Sequence, residues 1–325
     1  MLVFIELHDG KKLKLCFDGD LPGKLLDYRL IGSVYNLCFW VDDYKSIIFI
    51  PGLDYSVVVL YFNGKYELYS ESCCCEDLVK KFHFTIGLNE DIGGLIMLAS
   101  RDPLLGEFLR TYRGWRLRST SLWWAIVTGI CQQNVSFKQG WRMLHNIVKN
   151  YERIIQVGEL KVLRPPEPRE VLDDPDPLFN SGLGYRAKTV VNVAKAFVNG
   201  DVDEEAINEG TPVYAESVLR ELKGIGPYTA RLAIALSMRK YDLPPIDRWL
   251  KKIISVVYGI DEKFAEEFWV EKWRMWSALT SIMVTIALDA EPLNKALQRI
   301  HRREILPSPS VKPSPMNMRS FCEIE

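Results

Sequence analysis

Asp247 is the carboxylate of this chain best placed to do chemistry. It follows Pro244-Pro245-Ile246 and precedes Arg248-Trp249-Leu250, where a new helix must begin. Upstream, Leu222-Lys223-Gly224-Ile225-Gly226-Pro227-Tyr228 reads as a tight turn between two helices. Pro227 suits the first position of the second helix, because the N–H it lacks would be unpaired there anyway. Gly224 and Gly226 let the turn come very close to another molecule. The backbone N–H groups near 224, 226 and 228 are left unpaired at a helix N-terminus, which makes an anion site suited to a phosphate. A lone carboxylate near a phosphate-holding turn can stabilise a positive charge as it develops on a bound partner. Other chemistries find less support. His8, His83, His145 and His301 are scattered, so no triad is suggested. There is no phosphate-binding P-loop and no His/Cys cluster of the kind a metal-dependent nuclease needs.

The elements that must position these residues are legible on either side. Residues 229–239 carry Ala230, Leu232, Ala233, Ile234, Ala235 and Leu236, an almost wholly buried helix. Residues 216–222 make the first helix of the hairpin. Leu122, Trp123, Trp124, Ile126, Val127 and Ile130 predict another buried helix, capped by Ser119, Thr120 or Ser121. It ends in Cys131-Gln132-Gln133-Asn134, a polar break with no turn residue to explain it; Asn134 as a helix cap is the structural alternative. Residues 136–151 read as an amphipathic helix, with Trp141, Leu144, Ile147 and Val148 inward. Arg110, Arg113, Arg116 and Arg118 are a candidate phosphate-facing cluster or a solvated basic face. After Asp247, Trp249, Leu250, Ile253 and Ile254 repeat at helical spacing, 264–276 is strongly aromatic, and 279–288 is a final buried helix.

The first 72 residues or so read as β. Segments 2–7, 12–17, 35–41, 46–50, 55–62 and 65–70 are rich in β-branched and aromatic residues, with hairpin signals at Asp9-Gly10 and Asn63-Gly64. The expected class is therefore α+β: an antiparallel β-rich N-terminal domain over 1–85, a helical domain over 86–305, and a disordered or extended Pro/Ser-rich tail over 306–325. A chain of 325 residues with 48% hydrophobic and 26% charged content is that of a soluble globular protein. No apolar run is long enough to span a bilayer, and the N-terminus lacks a signal peptide's basic start. An intracellular site, cytoplasmic or nuclear, is expected. The net charge of −1 gives no global case for nucleic acid, so a DNA-binding face would have to be local. Seven cysteines, an odd count with Cys73, Cys74 and Cys75 adjacent, do not read as a disulfide framework or a zinc site. They are expected to be core or strand residues in a reducing compartment.

The combination Leu-x-Gly-Ile-Gly-x-x-Thr-Ala, a buried helix and then Pro-x-Asp resembles the helix-hairpin-helix, Gly/Pro…Asp superfamily of DNA glycosylases. The likeness covers about 85–300. It implies that Gly224, Gly226 and Tyr228 meet a DNA phosphate, with a monovalent cation on the backbone of Leu222 and Gly224. It implies that Asp247 acts on the glycosidic bond of a flipped-out nucleotide. Gln133 and Asn134 match the loop that enters the minor groove, with Asn134 filling the gap. The stretch 271–276 resembles the part of 3-methyladenine glycosylase II that supplies a base-stacking tryptophan, here Trp276, with Tyr228 also in the base pocket. Leu183-Gly184-Tyr185-Arg186-Ala187-Lys188 resembles 8-oxoguanine glycosylases, by direct contact or by a structural role. Only Cys322 follows Asp247, so the four-cysteine iron–sulfur cluster of some relatives is not expected. The lysine nucleophile of bifunctional members is replaced by Tyr228. The expectation is a monomeric, monofunctional glycosylase for alkylated purines, acting on double-stranded DNA that contains a damaged base, without a cofactor. The alternatives are an enzyme for 8-oxoguanine or deaminated purines, and a non-catalytic hairpin protein that only binds DNA.

Overall fold

The computed structural model describes residues 5–7, 10, 12–22, 26–35, 40–51, 56–71, 74–157, 160–311 and 313–316. Cys322, Cys73 and the start of the first expected strand lie outside them. The fold is α+β, as the patterning predicts. Strands β1 (Ile5–Leu7), β2 (Lys12–Asp20), β3 (Trp40–Val41), β4 (Lys45–Phe49), β5 (Ser56–Tyr61), β6 (Lys65–Ser70), β7 (Ile154–Val157) and β8 (Leu160–Leu163) form one antiparallel sheet. Its order is β3-β4-β5-β6-β2-β1-β7-β8. Alternation sets the faces. Ile48, Val58, Leu60 and Leu68 pack with Tyr28, Ile31, Leu78 and Phe82, which belong to the helices Tyr28–Ser33 and Glu76–Ile86. Ile47, Val57, Val59 and Tyr69 share the second cluster with Ile5, Leu13, Ile155 and Val157.

Three features differ from the sequence reading. First, the sheet borrows β7 and β8 from a stretch inside the helical half, and Ile5 pairs with Val157 and Leu7 with Ile155. The pairing is long-range, so local pattern did not reveal it. Second, Cys16 and Cys74 are joined in a disulfide. The antiparallel register of β2 on β6, Leu15 opposite Tyr69 with a bulge before Phe17, brings Cys16 back beside the chain just past β6. A bridge closing 58 residues contributes about 4 kcal/mol in the loop-entropy account. Among the described residues the free cysteine is Cys131, buried in a helix. Third, the part of the expected tail that the structure describes, 306–311 and 313–316, is docked; 317–325 lies outside the described residues. Ser314 is buried, the Ser308 N–H donates to Asp289, and the Tyr35 N–H donates to the Pro315 carbonyl at 2.9 Å.

The helical half is built around Leu122–Cys131, buried at every residue and capped by Ser121, whose hydroxyl accepts from the Trp124 N–H. This helix lies directly against Pro227–Met238. A Cβ on Gly129 would stand 2.8 Å from the Thr229 methyl, so glycine is what permits the approach. No described helix is long and apolar enough to cross a membrane.

Candidate functional site

The hairpin forms as its residue types require. Pro212–Glu221 ends at Leu222, the Ile225 N–H closes the turn on the Leu222 carbonyl, and Pro227–Met238 starts after Gly226. Gly224 has φ +92°, and a Cβ there would meet Thr189 at 2.7 Å, so both conformation and space demand glycine. A Cβ on Gly226 would meet nothing within 4 Å, and that position is open to an incoming molecule. Arg231 ties the two hairpin helices together by donating to Glu216 at 3.1 Å, and reaches Glu266 at 2.6 Å.

Asp247 is the N-cap of the helix Arg248–Tyr258, and its Oδ1 accepts the Leu250 N–H at 2.8 Å. The carboxylate opens on a cavity of about 340 Å³, whose lining includes Tyr35, Phe137, Tyr228, Trp249 and Asp289. The surrounding protein displaces water from the carboxyl and raises its pKa, while the backbone amides of Leu250, Asp247 and Trp249 oppose the shift. Tyr228 is pushed far up by burial, then by Tyr35 and by the charge of Asp247. Tyr35 is raised by burial and by Asp247. All three groups line the one cavity.

The expected site residues divide into those brought together and those kept apart. Asp247 and Tyr228 share the cavity, and Gly224 and Gly226 form the turn that leads into the Tyr228 helix. Gln133 bridges the polar loop to the hairpin, its amide donating to the Gly224 carbonyl at 3.1 Å and to Thr229 Oγ1 at 2.9 Å. Its side chain is thus committed within the protein. Asn134 is exposed, in the left-handed region at φ +51°, a conformation asparagine tolerates. The following helix Phe137–Tyr151 is capped by Ser136 rather than Asn134. Arg186 holds the same loop by donating to the Gln133 carbonyl at 2.6 Å, so the 183–188 stretch has a positioning role.

Trp276 is not on the cavity. It stacks on Tyr241 at 6.3 Å and belongs to the packed edge of the helical core. Trp269 and Trp273 of the same aromatic stretch are fully buried. Arg116 and Arg118 are buried and donate to carbonyls, including those of Glu90 and Gly32, so half of the arginine cluster is structural; Arg110 and Arg113 stay exposed.

Tyr35, Phe137, Trp249 and Asp289 are among the cavity residues that the sequence pattern does not reveal. Trp249 carries only a helical-spacing signal in the sequence; its indole N–H donates to the Glu291 carbonyl at 2.9 Å and the residue lines the cavity. Asp289 could have been found as Asn134 was, since Asp289-Ala290-Glu291 is a charged break after a buried helix. Tyr35 carried no local signal. Among the described residues no cluster of His, Cys, Asp or Glu could hold a metal ion.

The same architecture occurs in solved structures. The 3-methyladenine DNA glycosylase from Archaeoglobus fulgidus superposes with a TM-score of 0.67 at 18% identity, over 88% of this chain and 98% of that one. The Clostridium acetobutylicum 8-oxoguanine glycosylase/lyase, in complex with double-stranded DNA containing cytosine opposite 8-oxoguanine, gives 0.64 at 18% identity, over 92% and 98%. The fold is that of the helix-hairpin-helix DNA glycosylases. In sequence, the DNA-3-methyladenine glycosylase of Bacillus subtilis (strain 168) is 23% identical over 259 residues, 77% of this chain and 85% of that protein. No family model matches the chain. The glycosylase fold thus carries, in this chain, both hairpin and Pro-x-Asp segment at one cavity.

Proposed function

We propose that this protein is a DNA glycosylase of base-excision repair, which takes a damaged base out of double-stranded DNA and hydrolyses its N-glycosidic bond. The observation that carries the reading is Asp247, a carboxylate of raised pKa opening on an aromatic cavity directly after the hairpin. As the C1′–N bond breaks, the electron pair leaves with the base and positive charge develops on the sugar. The Asp247 carboxylate stabilises that charge and orients the water that adds to C1′. Gly224, Gly226 and the amide of Tyr228 receive a backbone phosphate, which fixes register without reading sequence. A monovalent cation fits beside it: the carbonyls of Leu222 and Gly224 each accept one hydrogen bond and keep a second lone pair. Asn134 fills the space that the extruded base leaves. The enzyme works as a monomer.

Within this reading the substrate is an alkylated purine. Tyr35, Phe137, Tyr228 and Trp249 line the cavity with aromatic rings and Asp247 offers negative charge, a setting that favours a base carrying positive charge. The position of the bifunctional lysine is Tyr228, whose phenol cannot form an imine with the sugar. The enzyme is therefore monofunctional. Lys138 and Lys295 do line the cavity and are the amines to watch. Base release from duplexes with alkylated, oxidised and deaminated purines tests the reading. Release of the alkylated base leaving an intact abasic strand is expected; a protein–DNA adduct trapped by borohydride would overturn the monofunctional assignment. No release from any duplex would leave a hairpin protein that only binds DNA.

A further inference from the structure

The segment after the last helix, Leu293–His301, has no place in the reaction just described, yet it runs along the cavity. Arg299 fixes its start. The guanidinium donates to the carbonyls of Leu306 and Glu304 while binding Asp289 at 2.8 Å and Glu291 at 3.3 Å. Asp289 Oδ2 then receives the Ser308 N–H at 2.7 Å. Beyond that anchor, Val311 and Pro313 line the cavity. Ser314 is 1% exposed, and the Pro315 carbonyl accepts the Tyr35 N–H at 2.9 Å. Tyr35 is the residue this contact secures. It holds a left-handed backbone at φ +49°, an uncommon choice for a bulky side chain that persists only where surroundings impose it. Its ring meets Trp141 edge-on at 5.7 Å and lies on the same cavity as Asp247.

We propose that the tail residues 306–311 and 313–316 are a specificity element of the excision pocket: Val311 and Pro313 form part of its wall, and Pro315 positions Tyr35 beside Asp247. This rests on the reading of the cavity as a base pocket. The segment carries none of the groups that act on the glycosidic bond. Its effect falls on which base fits, and so on the ratio of kcat/KM between bases of different size. A change of one methylene in an apolar pocket discriminates by roughly 10- to 200-fold. A two-residue wall from a segment with its own anchor sets pocket width without altering the hairpin or Asp247.

The test uses the full chain with Val311→Trp, which narrows the pocket, and Val311→Ala, which widens it. Excision of a small methylated adenine and of the larger etheno-bridged adenine is compared, with a thermal melt to confirm folding. The ratio of large to small should fall by at least about tenfold in Val311→Trp and rise in Val311→Ala. Binding to a duplex with a base-free abasic analogue should stay unchanged in both. If Val311→Trp does not fold, the opposite shift in Val311→Ala carries the test. Ratios unchanged in the folded variants, or a loss shared equally by both bases, would overturn the proposal. Should the unaltered chain release neither base, the alkylated-purine reading fails separately. The wall is then tested with free ethenoadenine, whose own fluorescence reports binding: weaker binding to Val311→Trp than to the unaltered chain supports it, and equal binding sinks it.

Discussion

Gly224, Tyr228 and Asp247 come from one short stretch of chain, whereas Tyr35, Val311 and Pro313, on the same cavity as Tyr228 and Asp247, come from its two ends. The first group is held by rules local to the backbone. A left-handed glycine closes a turn, a proline starts a helix, and a carboxylate caps the next. The second group is held by contacts between distant segments, such as the Tyr35 N–H on the Pro315 carbonyl. The difference teaches that the chemistry of this site is encoded locally, while the shape of the space around it is encoded by tertiary packing.

Asp247→Asn should break the local group most completely. The neutral amide cannot stabilise a sugar cation, and excision should fall by about a thousandfold. Asparagine still caps the helix, and at neutral pH it removes a carboxylate that burial disfavours, so the melting temperature should hold or rise slightly. A variant that turns over normally would remove Asp247 from the reaction. The same residue sets a pH limb. Its pKa is raised, and the ionised form is the active one. Activity should therefore be lost as pH falls through a midpoint above the ordinary 3.8. The stability sign is opposite: a raised carboxyl pKa makes this group favour folding below its unfolded pKa, a contribution lost as pH rises through the folded value. A pH–rate profile with an acid limb at or below 3.8 would contradict the raised pKa.

Gly224→Ala comes next. Its φ of +92° and the Thr189 contact should cost ~1–3 kcal/mol in a denaturant melt and weaken duplex binding more than the melt alone explains. Unchanged binding by the folded variant would detach the hairpin from the phosphate. Asn134→Ala should reduce excision by about tenfold from duplex and far less from single strands, since a gap-filler matters only where an opposite strand must be held apart. Equal losses would assign Asn134 to loop stability instead. The smallest effect on excision should come from Trp276→Ala. Off the cavity and half-buried, its loss should lower the melt by ~2 kcal/mol and leave the folded fraction with normal kcat/KM. A selective loss of kcat/KM would return it to the pocket.

The limits of legibility follow the same division. The hairpin, the Asp247 cap and the buried helix 122–131 were readable because glycine, proline, capping and apolar periodicity act within a few residues. Strands β4, β5 and β6 were readable from their β-branched and aromatic content and the Asn63-Gly64 turn. The β1–β7 pairing, the Cys16–Cys74 bridge and the docking of Ser308 and Pro315 were not, because each joins residues whose proximity the rest of the fold creates. Arg116 and Arg118 show the converse. A basic run looked outward-facing, but two of its members satisfy buried carbonyls. Trp276 shows that a resemblance in sequence does not fix which way an aromatic ring turns.

The pairing of β1 with β7 has a consequence for how the molecule comes into being. During synthesis the first strand emerges more than a hundred residues before its neighbour, so one side of β1 waits with unpaired amides and carbonyls while the helices between are made. The sheet cannot complete until the chain has passed Leu163, and by then the helix Leu122–Cys131 that roots the reactive half has also emerged. Such long-range closure is slow and late. Completion of the sheet thereby waits on the helical half, and a ribosome stalled before that point would hold a chain whose first strand is an open edge.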